Sequence, residues 1–182
     1  MTVSLIIPTY QEAQNIPLLF ERLQEVATAL TTQGVTLSVC IVDDASPDGT
    51  AVMARQQTVS FPVSVIERTT RGLATAVLYG IVHTDGEIIA VMDADLSHPP
   101  EVLLQLVAAM QQGAGCAVAS RHVTGGGVET WPWHRRLLSG LGALWARLLT
   151  RGVRDPLSGF FLCRRALLHL AHLSPIGYKI LL

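Results

Sequence analysis

Short apolar runs rich in β-branched residues recur along the chain: VSLII (3–7), LSVCIV (37–42), VSVI (63–66), EIIAVM (87–92) and CAVAS (116–120). Between them the apolar positions fall at helical spacing, in PLLFERLQEVATAL, GTAVMARQQ, GLATAVLYGIVH and PEVLLQLVAAMQQ. This is a repeated β-α-β-α order. The runs are continuous rather than alternating, so each strand is predicted to be covered on both faces, as in a parallel sheet flanked by helices. Asn15 before Pro17, Ser46 before Pro47, and Ser97 before Pro99 and Pro100 mark expected helix starts.

At 182 residues, 49% hydrophobic and 15% charged, the chain can bury one substantial core, and residues 1–182 are read as a single α/β domain. Mean hydropathy is high at +0.40, yet no stretch approaches the roughly 20 apolar residues that span a bilayer. The start, MTVSLIIPTY, lacks the basic and long apolar segments of a secretory signal. No signal peptide or transmembrane helix is expected, and the cytoplasmic side is the expected location. Cys40, Cys116 and Cys163 lie far apart among apolar neighbours and are read as core packing. The net charge of −1 conceals a division, because acids dominate residues 1–120 and arginines dominate residues 121–182. An acidic half can hold a cation, while an arginine-rich half suits phosphate or an anionic membrane surface.

In a parallel sheet of this kind ligands sit beyond the carboxyl ends of the strands. The polar residues that follow the runs are PTYQE, DDASPDGT, DADLSH and SRH. No GxGxxG follows the first strand and no GxxxxGK[ST] occurs, which removes the main support for dehydrogenase and P-loop chemistry. Asp93 and Asp95, two positions apart, would point to one face on extended backbone and could share a small divalent cation. Alternatively, one acid caps the helix near Pro99 and the other is solvated. The basic residues are not interleaved with aromatics, so nucleic acid is not an expected partner.

The segments IIPTYQEAQNI, IVDDASPDGT, RGLATAV, MDADLSHPPE, ASRH, WPWHRRLLS, DPLSGFFLCRR and GYK occur in that order. Together they resemble family 2 glycosyltransferases of the polyprenyl-phosphate (dolichyl-phosphate) mannosyltransferase group. The resemblance implies a GT-A, Rossmann-like nucleotide-sugar domain and inverting transfer of mannose from GDP-mannose to a polyprenyl phosphate. It implies that Pro8, Tyr10, Glu12, Val42 and Asp44 contact the nucleoside. It further implies that Asp93, Ala94, Asp95 and Ser97 form the diphosphate site, and that Asp93 and Asp95 ligate Mg2+ or Mn2+. Arg121 and Arg135 correspond to acceptor-phosphate arginines, Lys179 would reach the donor, and Asp95, Arg121 and Arg135 are the residues expected to carry catalysis. Where relatives carry Gln, this chain has Ser97. The family domain continues past GYKILL, so a C-terminal truncation is expected.

The implied acceptor, a phosphate monoester, is largely dianionic at neutral pH and needs no base, which leaves His98 and His122 without a proton to remove. Residues 134–151, HRRLLSGLGALWARLLTR, carry leucines and Trp145 along one helical stripe with arginines beside it. This pattern fits an interfacial amphipathic helix on the cytoplasmic face of a membrane, and equally a helix packed on the sheet. Peripheral attachment, with or without a membrane-anchoring partner subunit, is the expectation. The alternatives are transfer of another sugar such as glucose from a UDP-sugar, an inactive nucleotide-sugar-binding fragment, and metal-dependent nucleotidyl transfer.

Overall fold

A computed structural model describes residues 1–119 and 158–168. The expected elements form, most within two residues of the apolar runs: β1 (Thr2–Thr9), α1 (Ile16–Thr32), β2 (Thr36–Asp43), α2 (Thr50–Arg55), β3 (Val63–Glu67), α3 (Leu73–Val82), β4 (Ile88–Val91), α4 (Val102–Gln111) and β5 (Cys116–Val118). A further strand, β6 (Phe161–Arg164), was not signalled by the alternation of strands and helices and leads into a short 3-10 turn. The sheet order is β3-β2-β1-β4-β6-β5. β1 pairs in parallel with β2 and β4, and β2 with β3, whereas β6 runs antiparallel to both β4 and β5.

Both faces of the sheet are buried, as continuous apolar runs require. Val3, Leu5 and Ile7 of β1 face a core built with Leu19, Phe20 and Leu23 of α1 and Leu103 and Val107 of α4. Ile6, between them in sequence, faces the opposite core with Val77 and Ile81 of α3. At Gly80 an added Cβ would lie 3.2 Å from Val42 Cγ2 and crowd Ile6, so the missing side chain is what lets α3 lie close on the sheet.

The helix starts differ from expectation. Asn15 does precede α1 but makes no capping bond; its amide donates to Glu12 Oε2 instead, at 2.6 Å. Ser46 lies ahead of α2, which starts at Thr50. The Ser46 hydroxyl donates to Asp43 Oδ1 at 2.6 Å, and the Asp48 carboxylate accepts the Thr50 amide and hydroxyl. Ser97 likewise stands clear of α4, which is preceded by Glu101. A hydroxyl with a stronger local partner leaves the helix amides to other groups.

Candidate active site

The sheet order reverses between β1 and β4, since β2 and β3 lie to one side of β1 and β4 to the other. At such a switch point the loops leaving adjacent strands diverge and open a crevice beyond their carboxyl ends. Pro8, Tyr10 and Glu12 leave β1 on one side of it. Asp93 and Asp95 leave β4 on the other.

The loop after β1 is stitched to the loop after β2 by backbone amides. Gln11 N–H donates to Ser46 Oγ (2.9 Å), Glu12 N–H to Thr50 Oγ1 (3.0 Å), and Ala13 N–H to Asp48 Oδ2 (3.1 Å). These bonds hold Glu12 with its carboxylate toward the acids of β4. Its pKa is raised, first by burial and then by the negative charges of Asp95, Asp93 and Asp48, against the lowering effect of the Asn15 amide. Three non-glycine residues adopt positive φ, Gln11 (60°), Ala45 (51°) and Leu96 (58°). One lies after each of β1, β2 and β4, so the backbone strain is gathered around this crevice.

Asp93 and Asp95 do not share one extended strand. β4 ends at Val91, and Ala94 and Asp95 lie in a turn, so strand alternation is not what brings the two acids together. Asp93 is half-buried and Asp95 exposed. Asp95 Oδ1 accepts the Ser97 amide at 2.9 Å, which fixes the turn. Among the described residues no three acidic, histidine or cysteine side chains converge as a closed metal site. An open pair of carboxylates suits a cation such as Mg2+ that takes its remaining oxygens from water and substrate phosphates. The charges of Asp93 and Asp95 help raise the Glu12 pKa, so negative charge is gathered at this end of the crevice.

Gly159, delivered by the chain entering β6, lies against Asp93. A Cβ added there would stand 2.9 Å from Asp93 Cγ and 3.1 Å from Oδ1, and would overlap Oδ2. Ser158 fixes this approach through its hydroxyl, which accepts the Phe160 amide at 3.2 Å. Gly159→Ala should therefore displace the Asp93 carboxylate and weaken binding of a divalent cation at the Asp93–Asp95 pair about tenfold, within the ~1–3 kcal/mol typical of overpacking. Calorimetry checks this, and unchanged binding would show that the carboxylate can move aside at no cost.

On the β1–β2 side of the crevice, Asp44 and Tyr10, both singled out at the strand ends, are held by two arginines of the loop after β3 that were not. Asp44 is nearly buried, and its Oδ1 accepts Arg68 Nε at 2.9 Å and Nη2 at 2.5 Å while Oδ2 accepts the Gly72 amide at 2.8 Å. Arg71, in the same loop, places its guanidinium carbon 4.1 Å from the Tyr10 ring centroid and donates Nη2 to the Tyr10 hydroxyl. The polar residues after the third run, ERTTR, reveal both arginines by the rule applied to the other strands. Val42 and Ala94 are buried, so neither presents a side chain to the crevice. Pro8 is half-buried, and Tyr10 and Ser97 are exposed at its rim. His98 is buried with its ring edge-on to Phe160, centroids 6.0 Å apart. Arg121, His122, Arg135, Lys179 and residues 134–151 lie outside the described residues.

The sequence matches the family described as Glycosyl transferase family 2 over residues 4–170. It is 42% identical to a dolichol-phosphate mannosyltransferase of Pyrococcus furiosus, covering 100% of this chain and 51% of that protein. It is 37% identical to a polyprenol monophosphomannose synthase of Mycolicibacterium smegmatis, covering 96% and 66% respectively. The chain thus spans about half to two thirds of the length of these relatives. Among solved structures, a mannosyltransferase from Pyrobaculum calidifontis in complex with GDP-Man and Mn2+ superposes with a TM-score of 0.67 at 22% identity, over 98% of this chain and 49% of that one. A mannosyl-3-phosphoglycerate synthase from Rubrobacter xylanophilus gives 0.66 at 21% identity, over 91% and 53%. The fold is the GT-A fold of these glycosyltransferases.

Proposed function

The chain belongs to glycosyl transferase family 2, and on that premise we propose that it transfers mannose from GDP-mannose to a polyprenyl phosphate with inversion. The observation that carries this reading is that acids of two loops, Glu12 after β1 and Asp93 and Asp95 after β4, flank the switch point, near enough for the latter two to help raise the Glu12 pKa. Relatives named for dolichol-phosphate and polyprenol mannose transfer support the choice of sugar and acceptor.

Asp93 and Asp95 would hold a divalent cation, Mg2+ or Mn2+, which when bound neutralises the departing diphosphate. Asp95 is accessible to it and Asp93 is backed by Gly159. Glu12, Pro8 and Tyr10 frame the nucleoside from β1. Asp44 acts by anchoring the loop that carries Arg71 over the Tyr10 ring. The backbone through Val42, Ala94 and Ser97 completes the cleft wall, and Lys179 reaches the donor. The acceptor phosphate arrives already ionised, so Arg121 and Arg135 position and neutralise it and no side chain need remove a proton. None of the described helices is long and apolar enough to cross a membrane. Residues 134–151, or a membrane-anchoring partner subunit, would bring the enzyme to its lipid at the cytoplasmic face.

A donor panel with polyprenyl phosphate in vesicles tests the proposal. GDP-mannose should exceed UDP-glucose by at least about tenfold in kcat/KM. Arg121→Ala or Arg135→Ala should raise the KM for lipid phosphate and leave that for the donor in place. A preference for UDP-glucose would reassign the sugar. Donor binding without turnover would reduce the chain to a nucleotide-sugar-binding module.

A further inference from the structure

Of the three cysteines read as core packing, Cys40 and Cys163 are buried and Cys116 is not. Cys116 on β5 is exposed, and it stands directly opposite buried Cys163 on β6. On either side of this pair, Arg164 N–H donates to Gly115 C=O at 3.0 Å and Ala119 N–H to Phe160 C=O at 2.9 Å. In an antiparallel ladder the hydrogen-bonded pairs alternate, so 115/164, 117/162 and 119/160 are of that kind and 116/163 is a non-hydrogen-bonded pair. Such pairs bring Cα atoms to about 4.5 Å and side chains closer than elsewhere in the ladder. A disulfide spans Cα separations of about 4.4–6.8 Å. Both thiols are free, and they hydrogen-bond to each other. Among the described residues β5 pairs with β6 alone, which leaves Cys116 accessible at the sheet edge.

We propose that Cys116 and Cys163 form a reversible intramolecular disulfide, made by exchange with a low-molecular-weight disulfide, that fastens β5 to β6. The Cys116 thiolate attacks one sulfur of the small disulfide, forming a mixed disulfide and expelling one small thiolate. Cys163 then loses its proton and attacks Cys116 Sγ, expelling the second. The two protein thiols are oxidised, one small disulfide is reduced to two thiols, and the protons end on those thiols.

The surroundings divide the roles. The hydrogen bond from Cys163 brings the Cys116 thiol down to about 7, against the opposing effect of burial, and a thiol that ionises near ambient pH is well suited to attack. Cys163 is pushed well above the usual thiol range by its hydrogen bond to Cys116, by burial and by the charge on Cys116. Once Cys116 is capped in the mixed disulfide, that hydrogen bond and that charge are gone and Cys163 can ionise. Cys40 is buried on β2 in the core beneath α3, where burial raises its thiol, and it serves as an internal control.

The full chain equilibrated with mixtures of reduced and oxidised glutathione, then alkylated and mapped by mass spectrometry, should give a peptide cross-linked through Cys116 and Cys163. Cys40 should remain a thiol. The cross-link closes the chain over residues 117–162, so Tm should rise by roughly 5 °C or more and fall back on reduction. Cys163→Ser should stop at glutathione on Cys116, and Cys116→Ser should leave Cys163 unmodified. Cys40→Ser should cross-link like the parent chain. Glutathione retained on Cys116 in the parent, a bond between two chains, or no modification would each overturn the proposal.

Discussion

Asp95→Asn should lower sugar transfer by at least about a hundredfold, the ~3 kcal/mol expected when a group that stabilises developing charge is removed. The substitution is informative because it is nearly isosteric. The Asn side-chain oxygen can still accept the Ser97 amide that fixes the turn, and the exposed position carries little packing, so the thermal midpoint should hardly move. Mn2+-dependent GDP binding should fall in parallel, and EDTA should silence the parent enzyme. Full turnover in EDTA would end the assignment of a metal to these carboxylates, whatever the variant does.

The other large effect is on stability. Asp44 and Arg68 form an ion pair with side chains only 9% and 8% exposed. Removing one partner strands the other charge away from water, so Asp44→Ala should cost about 3–5 kcal/mol of unfolding free energy. The same change frees the Gly72 amide. Replacing both charges together, as Asp44→Leu with Arg68→Met, should recover much of the loss, since no buried charge then remains uncompensated. Urea titrations of the two single variants and the double variant give the comparison. A loss below about 1 kcal/mol for Asp44→Ala would mean that water reaches the pair and screens it. The double variant should still bind GDP poorly, because the loop carrying Arg71 to Tyr10 has lost its anchor.

The strands β1 to β4 and helices α1 to α4 were legible because each buries a continuous run or a helical stripe, a local pattern of one residue's neighbours. The acids at the ends of β1, β2 and β4 were legible for the same reason, by standing where an apolar run stops. Other features were not local. The partners of Asp44 lie 24 and 28 residues away, and the Arg71 to Tyr10 contact crosses 61. Such pairs arise only when the sheet sets the loops side by side. Gly159 looks like an ordinary turn glycine until β6 is paired with β4 and the space beside Asp93 proves to be taken. Cys116 and Cys163 were separated by sequence distance and joined by register. The strand alternation that predicted extended backbone through Asp95 failed because the chain turns at Ala94 and Asp95, with Leu96 in a left-handed conformation.

The position of β6 between β4 and β5 bears on how the protein is made. A ribosome releases β4 and β5 before β6, so the two strands emerge with a gap between them that only a later segment can fill. Until residues 161–164 arrive, the wholly buried β4 presents an apolar strand with an unpaired edge, a template for pairing with another chain. Closing that gap brings together residues 70 to 76 positions apart, a long-range step that is slow by nature. The same step delivers Gly159 to Asp93. The nascent chain therefore completes its sheet and its acid pair in one late event, and a chaperone that shields β4 would protect both.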